Sequence, residues 1–220
     1  MVQLITILIL FFTLSCSQAF AQGTEAYKRG SVIKTYRTCM KDKNFAQARQ
    51  VLTDAIHQHP QAAADLQIRR YLVDAINEQI GEENRKIYLG NRPDTITYFN
   101  HIYDLYTAAL NCDSVEQHNL QVKLSEGKKA KTLQRSFLAQ TMLSYRTNLL
   151  GAGKYFYKKK DYPAAFRFLH LYAQTKKSQV FEGPKGEHLL TDPDDLASVA
   201  VLAVLSAYAS EHPDGGMAYL

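Results

Sequence analysis

"NLLGAGKYFYKKKDYPAAFRFLHLY", residues 148–172, is the stretch on which the fold turns. Ahead of its lysine triplet stand a small residue, Gly153, and a large aromatic, Phe156. Behind the triplet, Tyr162, Ala165, Leu169 and Tyr172 recur at steps of three, four and three, which places them on one face of a helix. Pro163 falls near that helix's start, where a missing N–H costs least. The spacing predicts two antiparallel helices. Tyr155–Tyr157 finish the first, Lys160-Asp161 make the turn, and Lys158-Lys159-Lys160 form the wet end of the hairpin.

Upstream, "NFAQARQVLTDAIHQHP" (44–60) has the same format, with Phe45, Ala48, Leu52 and Ala55 on one face and Pro60 as terminator. A second amphipathic run covers about 62–89 and stops at the breaker cluster Gly90-Asn91-Arg92-Pro93. Asp94 or Thr95 can cap the next helix, expected to run to about Asn111. Asp113-Ser114 is read as opening another short helix, and Gly127 as separating it from one long helical stretch over 129–159. Residues 178–193, with two Pro and two Gly, read as a surface loop, and a last apolar helix is expected over about 194–210. Strand-like alternation is scarce, so the predicted class is all-α. The turn at His212–Gly216 and the short run to Leu220 suggest the front part of a longer protein.

The aromatic, +3 Ala, +4 large, +3 Ala, +5 Pro pattern of 44–60 resembles the second helix of a tetratricopeptide repeat (TPR). Residues 147–172 resemble a whole repeat, Gly153 and Phe156 holding the first helix's small and aromatic positions. There the pattern departs at its last two positions, Tyr172 and Lys177. In the earlier repeat Tyr36 takes the small position and Cys39 the aromatic one; near the C-terminus Gly216 takes the Ala position of a third unit. Ala48 and Ala165 are not separated by a multiple of the family's period, so the resemblance implies an irregular array of antiparallel helix pairs, a TPR-like α-solenoid over 22–220. Small residues at Ala48 and Ala165 would serve close helix approach. Ala165→Leu is expected to cost about 1–3 kcal/mol, and Lys159→Leu to leave the melting temperature unchanged. Equal tolerance at both positions would remove the repeat reading.

The chain has 220 residues, 46% hydrophobic and 21% charged, and a net charge of +5, which describe an ordinary globular protein with a slight preference for acidic partners. Residues 1–21 carry no charge, and the apolar run Val2–Leu14 is short for a bilayer span. With Ala19-Phe20-Ala21 as a small-x-small site it reads as a signal peptide, giving an exported protein of the periplasm or cell envelope. A second reading makes Cys16 a lipidated N-terminus, although Thr13-Leu14-Ser15 is a poor match for that signal. Export would permit a Cys39–Cys112 disulfide, whereas the helical apolar pattern around each makes it a small hydrophobe. With the exported N-terminus, the chain resembles the secreted repeat proteins of Bacteroidetes-type bacteria.

Catalytic motifs are missing: no H-E-x-x-H, G-x-S-x-G, Walker loop or G-x-G-x-x-G occurs. His57-Gln58-His59 lies at a helix end with no third ligand in step, and His101, Cys112 and His118 share no ligand spacing. Gly151-Ala152-Gly153 follows no strand, so it is a packing feature. Glu82-Glu83 and Asp194-Asp195, being adjacent, point to different sides of a helix. Neither a catalytic residue nor a cofactor nor a metal is expected. The resemblance implies instead a peptide groove lined by first helices. Carried over by position, Arg37, Met40 and Lys41 face it in the first unit, and Leu150, Lys154, Tyr157 and Lys158 in the strong unit. The family's ordered set of asparagines and basic residues for a terminal carboxylate does not occur here. What remains is a basic, partly aromatic strip for an acidic protein segment or terminal carboxylate. Nucleic acid is the rival for Lys128, Lys129, Lys131 and Lys158–Lys160; export argues against it, and Phe156, Tyr162 and Phe166 are better used in packing. The expectation is a non-catalytic binding scaffold. The alternative is an accessory part of an exported enzyme whose catalytic region lies beyond residue 220.

Overall fold

A computed structural model describes residues 27–92, 94–132, 134–183, 187–190 and 196–210. The expected signal segment 1–21 with Cys16, Pro93 of the breaker cluster, the pair Asp194-Asp195 and the C-terminal unit around Gly216 lie outside them. The described residues are helical, with no β strand among them. The helices are α1 (Arg29–Lys41), α2 (Phe45–Gln58), the single turn α3 (Pro60–Ala63), α4 (Leu66–Tyr88), α5 (Thr95–Ser125), α6 (Arg135–Ser144), α7 (Arg146–Lys158), α8 (Tyr162–Thr175) and α9 (Leu196–Ala209).

Each long helix packs on its neighbours in the chain: α1 on α2, α2 on α4, α4 on α5, α7 on α8, and α8 on α9. Two apolar cores result, and α4 belongs to both. Ile68 and Ala75 join Ile33, Tyr36, Ala48, Leu52 and Ala55 on one flank. Val73, Ile76 and Ile80 join the interior of α5 to α9 on the other. Side contacts couple alternate helices as well. Tyr36 of α1 stacks on Tyr71 of α4 at 4.5 Å, Arg49 of α2 pairs with Asp104 of α5 at 2.7 Å, and Arg167 of α8 donates to Asn100 of α5 at 2.7 Å.

The hairpins α1/α2 and α7/α8 share one turn, bond for bond. Lys43 and Lys160 occupy the left-handed region at φ 58° and 63°. Their N–H groups donate to Met40 O and Tyr157 O, and the next residues' N–H groups, of Asn44 and Asp161, to Cys39 O and Phe156 O. The side chains of Asn44 and Asp161 then cap the following helix, accepting from Gln47 N and Ala164 N, both at 3.2 Å. A non-glycine residue in this region carries some strain. The same ending closes α5, where Gly127 at φ 72° donates to Leu124 O and Lys128 to Lys123 O, so what sets the two hairpins apart is the Asn or Asp cap that starts the next helix at once.

Three boundaries differ from expectation. Residues 95–125 form one helix, not two, because the buried face Ala109, Cys112, Glu116 continues through Asp113 at steps of three and four. Asp113 is buried there and meets Arg135 Nε at 3.4 Å, and Glu116 accepts the Gln134 N–H at 2.9 Å. Burial raises the carboxyl pKa of Asp113, and Arg135 works against that rise. The stretch 129–159 splits into α6 and α7 at Tyr145. Its N–H turns back to Met142 O, while its hydroxyl donates to Asn77 Oδ1 of α4 at 2.9 Å. The expected 62–89 run begins as a helix at Leu66, after the separate turn α3. The loop after α8 is also more than surface: Val180 and Phe181 are fully buried, and Glu182 bridges His188.

Polar groups in the core are held from several sides. Arg146, buried at the start of α7, donates to Thr175 Oγ1 at 2.7 Å and lies 4.0 Å above the Tyr172 ring. Cys39 and Cys112 are both free thiols. Cys112 lies fully buried on α5, where burial pushes its thiol pKa up to about 12, the behaviour of a packed hydrophobe.

Candidate functional site

The seven groove residues expected from the sequence do not share one environment. Arg37 and Lys41 are exposed on α1 and line the same cleft, of about 470 Å³. Met40, one residue away, turns into the first core and is half-buried. On α7, Leu150 and Tyr157 are half-buried against the second core, Tyr157 meeting Tyr162 edge-on at 5.7 Å. Lys154 and Lys158 are exposed. None of the four α7 residues lines the α1 cleft.

The cleft follows one stripe of α1, formed by Gly30, Ile33, Lys34, Arg37, Thr38 and Lys41, with Arg29 at its head and Gln67 of α4 closing one side. Its members recur at steps of three and four (30, 34, 38, 41 and 30, 33, 37, 41), so their side chains share a face. Ile33 forms an apolar floor. Among the described residues no acidic side chain lines the cleft. Arg29 is engaged by the carboxylate of Asp65 and donates to Gln67 Oε1 at 2.6 Å. Burial would raise the Asp65 pKa, but the hydrogen bonds from Arg29 and from the N–H groups of Gln67 and Ile68 leave it below the ordinary value. Arg37 reaches Tyr71 OH at 3.3 Å. Lys34 and Lys41 make no ion pair among the described residues, so their charges face solvent.

Lys34, Thr38, Gly30 and Gln67 are cleft residues that position-by-position transfer from the repeat pattern missed. A signal for the cations was present in the charge distribution. Between Lys28 and Lys43 the chain carries six basic residues against the single acid Asp42, an excess equal to the net charge of the whole chain, +5. Gln67 could not be found this way, because only the packing of α4 on the first hairpin brings it beside α1.

Two other clefts differ in kind. One of about 390 Å³ is lined by Lys123, Lys129, Ala130 and Lys131 at the end of α5. Another of about 420 Å³ lies between the start of α6 and the loop after α8, with Arg135 and Glu182 among apolar Ala139, Val180 and Leu189. His101 approaches Arg49 at 3.4 Å, and His59 stacks obliquely on Tyr27. Among the described residues no three His, Cys, Asp or Glu side chains gather as a metal site, and no helix is long and apolar enough to cross a membrane. No family model, curated protein or solved structure matches the chain.

Proposed function

We propose that this chain is a non-catalytic scaffold of the cell envelope, exported by a signal peptide over 1–21, whose helix pairs form an irregular TPR-like array. Its role is to hold an acidic segment or terminal carboxylate of another protein. The observation that carries this reading is the α1 cleft, where Lys34, Arg37 and Lys41 stand along one face with no acid among the described lining residues. An oxyanion entering there gains charge-assisted hydrogen bonds without displacing an internal carboxylate from Lys34 or Lys41. The two hairpins support the repeat reading through their second helices, which share the Asn44 and Asp161 caps and the buried Ala48/Leu52 and Ala165/Leu169 at matching steps.

Titration of the chain with a fluorescent aspartate- and glutamate-rich peptide tests the proposal. Affinity is expected to fall steeply as salt rises from low to physiological ionic strength, because the cleft is open to solvent and its field is screened over about 10 Å. Lys34→Glu/Lys41→Glu is expected to weaken binding about tenfold or more, with the melting temperature unchanged. Lys154→Glu in parallel asks whether the α7 strip contributes. Salt-independent binding, or full affinity in the Lys34/Lys41 variant, would overturn the reading.

A further inference from the structure

We infer that the occupant of the α1 cleft is an acidic α-helix lying along α1, and not an extended chain; this rests on the acidic-ligand reading above. The cation spacing alone does not choose between them. Lys34, Arg37 and Lys41 step along α1 by about 4.5 and 6 Å at a rise of 1.5 Å per residue. Acids three and four apart on a helix match that spacing, and so do alternate acids on an extended strand, about 6.6 Å apart.

The backbone of the ligand decides. An extended peptide brings one N–H and one C=O per residue, and those that lose water against a surface need partners. The neutral polar groups of this cleft are few, and each is already partly used. Gln67 accepts from Arg29 through Oε1 at 2.6 Å and donates through Nε2 to Tyr71 OH at 2.9 Å. The Thr38 hydroxyl donates to Lys34 O at 3.1 Å. The cations can serve carbonyls, but among the described lining residues the Thr38 oxygen and the second lone pair of Gln67 Oε1 are the side-chain acceptors left for a row of amides. A helix has satisfied its backbone internally and asks only for charge along its acidic stripe and contact along its flank.

The cleft provides both. Ile33 is an apolar floor, and a Cβ built on Gly30 would meet nothing within 4 Å among the described residues, which leave the head of the stripe open to close approach by a second helix axis. From Gly30 to Lys41 the stripe runs about 16 Å, or three helical turns. The partner is therefore a segment of another protein with Asp or Glu at steps of three and four over about three turns, flanked by small apolar residues.

Two synthetic peptides of one composition test this, each about 18 residues long, rich in alanine, with glutamates at steps of three and four and two prolines. In one peptide the prolines sit at the ends, where a helix tolerates them; in the other they sit in the interior, where they break it. Fluorescence anisotropy against the full chain is expected to show the end-proline peptide binding at least about tenfold tighter. Gly30→Leu, which fills the head of the stripe, is expected to weaken that peptide selectively without lowering the melting temperature. Equal or tighter binding of the interior-proline peptide would overturn the helical inference and leave the acidic-ligand reading standing. Binding of neither peptide, whether or not vesicles of anionic phospholipid bind, would overturn the acidic-segment reading itself and this inference with it.

Discussion

Phe168→Ala is expected to cost about 3–5 kcal/mol, enough to lower the melting temperature by on the order of 10 °C. Phe168 is fully buried on α8, where three helices converge on its ring. It stacks on Phe156 of α7 at 5.4 Å with an interplanar angle of 14°, and meets Tyr103 and Phe99 of α5 edge-on at 5.5 and 6.4 Å. Truncation removes the transfer free energy of the ring and leaves a cavity that three separate helices must collapse to fill. It also removes the stacked and edge-on contacts, which contribute beyond area burial. Phe166, two residues earlier, is half-buried and touches His170 on its own helix. Phe166→Ala is expected to cost well under half as much. Chemical denaturation of both variants checks the ordering; equal losses would mean that the α5/α7/α8 aromatic cluster does not hold the fold together.

Gly153→Leu is expected to cost about 3 kcal/mol, at the upper end of the range for overpacking a core, and the sign at Gly153→Ala is the sharper test. Alanine in place of glycine inside a helix ordinarily gains roughly 1 kcal/mol. At Gly151, exposed on α7, a new Cβ meets nothing within 4 Å, so Gly151→Ala is expected to stabilise by about that amount. At Gly153 the same atom would lie 2.6 Å from Leu169 Cδ2 and 2.7 Å from its Cγ, with the Leu169 backbone N at 3.4 Å. Leu169 is fully buried, so its side chain has to repack among core neighbours or α7 and α8 have to move apart. Gly153→Ala is therefore expected to destabilise despite its helix propensity. Opposite signs at two glycines on one helix, read from thermal melts, distinguish close helix packing from intrinsic preference. A gain at both would show that the α7/α8 contact is looser than described.

The two hairpins were legible because their information is local. Phe45, Ala48, Leu52 and Ala55 are buried, as are Ala165, Leu169 and Tyr172, on the faces their spacing predicts. Asn44 and Asp161 cap the helices that follow them. Misreadings arose where local chemistry yielded to distant partners. Asp113 has the composition of a helix start, but a face of Ala109, Cys112 and Glu116 keeps the helix running and turns its carboxylate to Arg135, 22 residues on. Nothing around Tyr145 marks a helix end, and the break there accompanies its hydroxyl's bond to Asn77, 68 residues back. Val180 and Phe181 sit in a segment with loop composition and are buried because α6 packs over them.

The candidate site divides along the same line. Arg37 and Lys41 were within reach of a positional argument, since their separation of one helical turn is a property of α1 alone. Leu150 and Tyr157 were not separable from core residues by spacing, because α7 is covered on more than one side and only its neighbours decide which flank stays wet. By itself the sequence determined the helical class, the hairpin turns at Lys43 and Lys160 and the charge gathered on α1, all of which depend on residues within a turn or two of one another. Tertiary structure alone decided that Asp65 engages Arg29 and that Gln67 flanks the cleft, while Lys34 and Lys41 make no ion pair among the described residues. Those distances are set by how α4 lies against α1, and packing across more than 30 residues leaves no periodic trace in the chain.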